Sequence, residues 1–229
     1  MRKSRLTLVV AAAIGFAGLQ SAALASIIDL RDLPGNFDQA TWGQPDTTIY
    51  AQSIVADDAV LNEFIFRAGS TSGTDILYNI IVTGGRADGG GGLGLSPDFN
   101  DIRYTSGDLS IGAGLTEVMV NPNINVTDGE TLFFVLSTFG FPASGSGFVR
   151  ATEFNGAVDQ YVPGEFVFIN TGGLGADTLQ DLNAFNWSHR FDFNEDLAIS
   201  VTFRPIPGPG AIALLGLAGL AGFGRRRRG

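Results

Sequence analysis

Leu197-Ala198-Ile199-Ser200-Val201-Thr202-Phe203-Arg204 alternates with a period of two: Leu197, Ile199, Val201 and Phe203 on one side, Ala198, Ser200, Thr202 and Arg204 on the other. Successive side chains of a strand point to opposite faces, so this segment reads as a strand with one apolar face and as the last of its domain. Working back from it, further β-branched and aromatic runs fall at Ile49 to Val55, Val60 to Arg67, Ile76 to Thr83 and Asp101 to Thr105. Four more follow at Glu117 to Val120, Thr131 to Thr138, Phe148 to Glu153 and Glu165 to Asn170. Turn chemistry such as Gly84-Gly85, Asp128-Gly129 and Asn155-Gly156 separates them.

Away from the two ends, no segment sustains a capped helical period. Eighteen phenylalanines among 229 residues, eight of them inside these runs, suit the gap between two sheets. The expected fold is therefore all-β, an antiparallel β-sandwich of jelly-roll type, with a single closed barrel as its competitor. Gly84 to Pro97, with glycine at 89 to 92, reads as a long irregular loop.

Both ends of the chain read differently from the body. Arg2, Lys3 and Arg5 precede an apolar stretch, Leu6 to Leu19, and then Ala23-Leu24-Ala25. A basic start, a short apolar core and small residues at the cut make a secretory signal peptide over residues 1–25, cleaved after Ala25. At the other end stand Pro205-Ile206-Pro207-Gly208-Pro209-Gly210, an uncharged run from Ala211 to Gly224, and Arg225, Arg226, Arg227 and Arg228. Prolines fix φ and remove amide donors, so the chain leaves the domain as an extended tether. As a helix the apolar run spans roughly 21 Å, or about 28 Å counted from Ile206, against a hydrocarbon core of about 30 Å. The arginines favour the cytoplasmic side and leave everything before Pro205 outside.

This three-part end, residues 205–229, resembles the PEP-CTERM sorting segment of bacteria that make extracellular polymer. It carries Pro207-Gly208-Pro209 where that family usually has Pro-Glu-Pro. The resemblance implies recognition by an exosortase-like membrane protease, cleavage near the proline motif, and release or transfer to the cell surface. An ordinary C-terminal anchor is the alternative. The body, residues 26–204, is similar to exported sandwich domains found before such tails, through Gln52 to Val55, Gly129 to Leu136 (Gly-Glu-Thr-Leu-Phe-Phe-Val-Leu) and Asp196 to Ala198. That likeness implies a fold and no chemistry.

Charge and cysteine content narrow the partners. The chain has no cysteine, so an exported body of about 180 residues must hold its fold by its core alone. All 23 acidic residues lie between Asp29 and Asp196, whereas only 7 of the 14 basic residues lie in the body, leaving it at −16 with no lysine. Such a body repels nucleic acid and attracts divalent cations weakly, without a dedicated site.

Motifs for catalysis are weak. His189, the only histidine, stands in Trp187-Ser188-His189-Arg190, and a relay built from sequence neighbours rarely achieves triad geometry. Zinc requires several His or Cys ligands, and no metal or other cofactor site is expected. Asp192-Phe193-Asn194-Glu195-Asp196 opens like a calcium loop but has Leu197 where the turn glycine belongs and Phe203 where the bidentate glutamate belongs. It reads as an acidic turn, as does Asp98 to Asp101. A glycoside hydrolase would need two facing carboxylates, which sequence alone does not nominate. The chain is thus read as non-enzymatic, structural or adhesive. A carbohydrate-binding module with extracellular polysaccharide as partner is the second reading, its sugar-stacking candidates being Trp42 and Trp187, with Tyr104 and Tyr161 behind them. Trp42 falls in a Gly/Pro-rich stretch, Ala40 to Pro45, read as a loop, and both tryptophans would otherwise plug the ends of the sandwich.

Overall fold

A computed structural model of the chain describes residues 25–33, 35–44, 46–87, 94–143, 145–152, 159–170, 175–189 and 195–206. In chain order the strands begin with β1 (Ser26–Asp29), β2 (Phe37–Gln44), β3 (Ile49–Val55), β4 (Val60–Ser70) and β5 (Ile76–Ala87). Next come β6 (Leu95–Thr105), β7 (Leu109–Ile111), β8 (Thr116–Val120), β9 (Ile124–Asn125) and β10 (Thr131–Ser137). The last four are β11 (Gly145–Ala151), β12 (Phe166–Ile169), β13 (Ser188–His189) and β14 (Ser200–Arg204), with a 3₁₀ turn over Gln180–Ala184.

These strands form two antiparallel sheets. The first runs β1-β14-β4-β11-β2, with β8 and β9 on the other edge of β4; the second runs β13-β12-β3-β10-β5-β6, with β7 also on β5. Strand β4 is the axis of the first sheet because its eleven residues are long enough to hold two partners end to end along one edge. There β14 pairs Val60 to Ile65 and β11 pairs Ala68 to Ser70. From β2 to β5 the chain changes sheet at every connection, and it does so again before β8, β10 and β11.

The sheets face each other across one core. Phe64 on β4 meets Phe134 on β10 with ring centroids 4.7 Å apart, and Trp42 on β2 meets Tyr78 on β5 at 5.2 Å. Two facing sheets decide against a closed barrel. The second sheet is also covered on its outer face, where Ile49, Ala51, Ile81, Phe133, Val135 and Val167 pack under Phe99, Leu182 and Trp187. This is why Leu132 to Leu136 is an unbroken apolar run: Leu132, Phe134 and Leu136 serve the inner core, Phe133 and Val135 the outer one. Phe99 stacks on Trp187 at 6.1 Å, and the Asn183 and Gln180 side chains bond the Phe99 backbone, docking the 3₁₀ turn on β6.

Several expectations change in detail. The segment Gly84 to Pro97 is not a loop throughout: β5 and β6 continue pairing, Gly84 opposite Asp98 and Ala87 opposite Leu95. Gly84 and Gly85 are there for close packing, since a Cβ on Gly84 would collide with the Asp101 carboxylate and one on Gly85 would press on Phe133. The alternating segment from Leu197 keeps its apolar side, Leu197, Ile199, Val201 and Phe203 all being fully buried. Its regular pairing begins only at Ser200, because Leu197 bridges Ala151 and the Ile199 amide bonds back to the Leu197 carbonyl, bending the chain from β11 towards β4. Strands β1 and β2 were not legible as strands. The two apolar terminal segments expected to be helical lie outside the described residues, and among the described residues no helix is long and apolar enough to cross a membrane.

Candidate functional site

The boundary residues come first. Strand β1 begins at Ser26, one residue after Ala25, and β14 ends at Arg204, one residue before Pro205. The two strands are antiparallel neighbours, with Ser26 opposite Phe203, so both ends of the body leave from one edge of one sheet. Ala25 is exposed. Arg31, just after β1, sits between Asp29 and Glu117, while Arg67 joins Glu117 to Asp32, linking this edge to β4 and β8. Ala23, Pro207, Gly208, Pro209 and Arg225 to Arg228 lie outside the described residues.

The proposed sugar platforms are not platforms. Trp42 is wholly buried and Trp187 only 2% exposed, so neither ring has a face for a sugar. Trp42 lies between the sheets with its Nε1 donating to the Leu136 carbonyl at 3.3 Å; Trp187 lies under the outer cover of the second sheet. Tyr161 is committed as well, its hydroxyl accepting the Val55 amide at 3.0 Å, and Tyr104 is half-buried against the inner core. Ser188 and His189 pair with Phe168 and Val167, which places the histidine on an edge strand.

Of the acidic turns, Asp192 to Asn194 lie outside the described residues, while Glu195 and Asp196 are buried. Asp196 closes a network. Its Oδ1 accepts Gln52 Nε2 at 2.7 Å, and the Gln52 Oε1 accepts the Leu197 amide at 2.8 Å. Its Oδ2 accepts the Tyr161 amide at 3.0 Å, and that same amide lies 2.9 Å from Asp159 Oδ1, so two carboxylates share one N–H. Thr152 Oγ1 accepts the Asp196 amide. Burial, with the negative charges of Asp159 and Glu195 added, pushes the Asp196 carboxyl up to about 7 against the hydrogen bonds from Gln52 and Tyr161. Among the described residues no three carboxylate or histidine side chains come together as a metal ion would require. Asp98 serves local structure, accepting from the Asn100 amide and Asn183, and Asp101 is paired with Arg103.

A different place was missed altogether. Strand β2 pairs Trp42 with Gly147 and Ala40 with Phe148, so Thr41 is an extra residue in a β-bulge. Thr41 has φ 71°, a left-handed conformation that a β-branched residue rarely adopts. Its carbonyl accepts the Thr47 amide at 3.0 Å and the Gly43 amide donates to the Thr47 carbonyl at 2.9 Å, which holds Thr47 beside the bulge. The bulge turns Trp42 into the core and leaves a cavity of about 200 Å³ beside it, where sheet one ends at β2 and sheet two runs on into β12. Gln39, Thr47 and Tyr50 form its buried floor; Thr41, Asp46 and Asn170 form its exposed rim, and Phe168 one wall. Thr41→Gly is expected to remove the strain and raise the unfolding free energy by about 1 kcal/mol. Urea denaturation checks this, and an unchanged or lower midpoint would mean that the bulge is unstrained.

Comparison with protein-family models, curated proteins and solved structures finds no significant match to this chain. The class defined by the fold is an all-β protein of two antiparallel sheets.

Proposed function

We propose that this chain is an exported, non-enzymatic sandwich protein of the cell surface or extracellular matrix, structural or adhesive, delivered by a C-terminal segment that an exosortase-like membrane protease removes. The body is a jelly roll. Its eight principal strands fall in the orders β2-β11-β4-β8 and β3-β10-β5-β6, the alternation expected when one long hairpin is wrapped into two sheets.

The observation that carries the sorting reading is the placement of the two ends. An N-terminal cut after Ala25 frees the chain at the first residue of β1, and the Pro205 tether starts at the last of β14, so neither processing event disturbs a paired strand. A body held to a membrane by its tail would present its trimmed N-terminus at the same edge. The charge of −16 supports a location where solubility outside the cell matters more than affinity for anionic surfaces.

Mass spectrometry of the protein from the producing cell, surface and medium together, tests this. The expected species starts at Ser26 and ends between Pro205 and Gly210. A dominant species retaining Arg225 to Arg228 would leave a plain membrane anchor and remove the sorting step from the account.

A further inference from the structure

We propose that the cavity behind the Thr41 bulge is a binding site for one neutral sugar ring, such as the terminal unit of an extracellular glycan. This goes beyond the sorting reading and stands independently of it.

Three observations converge there. The first is an unsatisfied polar group. Gln39 is 92% buried in the cavity wall, its Nε2 donates to the Tyr50 hydroxyl at 3.4 Å, and its Oε1 has no partner. Reversing the amide exchanges the atoms without curing the deficit, because the Tyr50 hydroxyl already donates to the Ala40 carbonyl at 2.8 Å. The Oε1 is shielded from solvent in the unliganded fold, so a ligand hydroxyl, which both donates and accepts, satisfies the amide in either orientation once the Gln39 side chain turns towards the cavity that it lines. The second is the strained Thr41 on the rim, since backbone held in a sparsely populated region by its surroundings gathers at ligand clamps. The third is the composition of the lining: amides of Gln39 and Asn170, hydroxyls of Thr41 and Thr47 and the Asp46 carboxylate, set against the rings of Tyr50 and Phe168.

That composition selects the ligand class. Among the described residues neither arginine nor lysine lines the cavity, and the body carries −16, so phosphate, sulfate and uronic acids are repelled. One carboxylate is too few for a calcium ion, which takes several oxygen ligands with charge among them. An apolar ligand would strand the amides and hydroxyls. A polyhydroxylated ring meets all three conditions, its hydroxyls bonding amide and carboxylate groups while its C–H face lies on an aromatic wall. The volume of about 200 Å³ corresponds to roughly six or seven waters, room for one ring rather than a chain.

The test uses the full chain and four probes: the methyl glycosides of glucose, galactose, mannose and N-acetylglucosamine, titrated to millimolar concentration while backbone amide NMR signals are followed. At least one is expected to shift the Thr41, Asp46 and Asn170 signals saturably. Asp46→Ala and Asn170→Ala, both at exposed rim positions, are each expected to weaken that binding about tenfold with the circular dichroism spectrum and melting temperature unchanged. The proposal is overturned if none of the four moves these signals, if both variants bind as the parent does, or if glucuronate or a simple amine outcompetes every neutral glycoside.

Discussion

Asp196→Asn is expected to raise stability near pH 8 by as much as about 4 kcal/mol and to leave it nearly unchanged near pH 4. The sign follows from where the proton sits. In the unfolded chain the Asp196 carboxyl titrates near its ordinary value of 3.8, whereas in the fold burial carries it to about 7. The folded state therefore binds more protons across that window, so the contribution of this group is fully present below pH 3.8 and is lost as pH rises towards and through about 7. Asparagine removes the charge and keeps the oxygen that accepts from Gln52 Nε2, but its NH2 stands where Oδ2 accepts the Tyr161 N–H, so that donor passes wholly to Asp159 Oδ1 and the figure of about 4 kcal/mol is an upper limit. Asp29 works in the opposite direction, its hydrogen bond and ion pair with Arg31 holding it below the usual range, but it is surface-exposed and its effect is small. Chemical denaturation of parent and variant across pH 4 to 8 separates the cases. Parallel profiles for the two proteins would show that Asp196 does not titrate in this range.

How much of this was legible follows from the range of each interaction. Strand β3 was read with both ends correct because Ile49 to Val55 is bounded by local turn signals and rich in β-branched and aromatic residues. Thr131 to Ser137 was equally clear, since a strand buried on both faces needs no alternation to be recognised. Strand β2 was lost because Trp42-Gly43-Gln44-Pro45 has loop composition, and what makes it a strand is its partner β11, more than a hundred residues on. The Thr41 bulge has no local mark at all, as threonine is among the last residues one would assign to positive φ. Gln52 and Asp196 are 144 residues apart, so neither advertises the other. Trp187 was correctly singled out as unusual and wrongly given a surface role, because its partner Phe99 belongs to a strand read as starting only at Asp101. Patterns of composition and period announce elements; sites made by the meeting of distant strands are announced by none of their members.

Replacing Arg225, Arg226, Arg227 and Arg228 together with serine or glutamine is expected to abolish C-terminal processing. Each arginine faces a cost of roughly 2.5 to 3.5 kcal/mol at mid-bilayer, so on the proposed topology four in a row would hold the tail in the cytoplasm by far more than thermal energy. The adjoining segment cannot supply that retention. Ala211 to Gly224 contains four glycines and spans only roughly 21 Å as a helix, short of a hydrocarbon core of about 30 Å, so without a charged stop it passes through. The body, on the proposal that it is exported, offers no substitute, since its net charge of −16 gives it no electrostatic hold on an anionic leaflet. Full-length chain with an intact C-terminus should then accumulate outside the cell, beginning at Ser26 because the N-terminal cut is independent of the tail. Cleavage near Pro207-Gly208-Pro209 at the parental rate in the substituted protein would mean that the protease recognises the proline motif and the apolar segment without the arginines. The arginines would then set orientation alone, and retention would have to come from the enzyme itself.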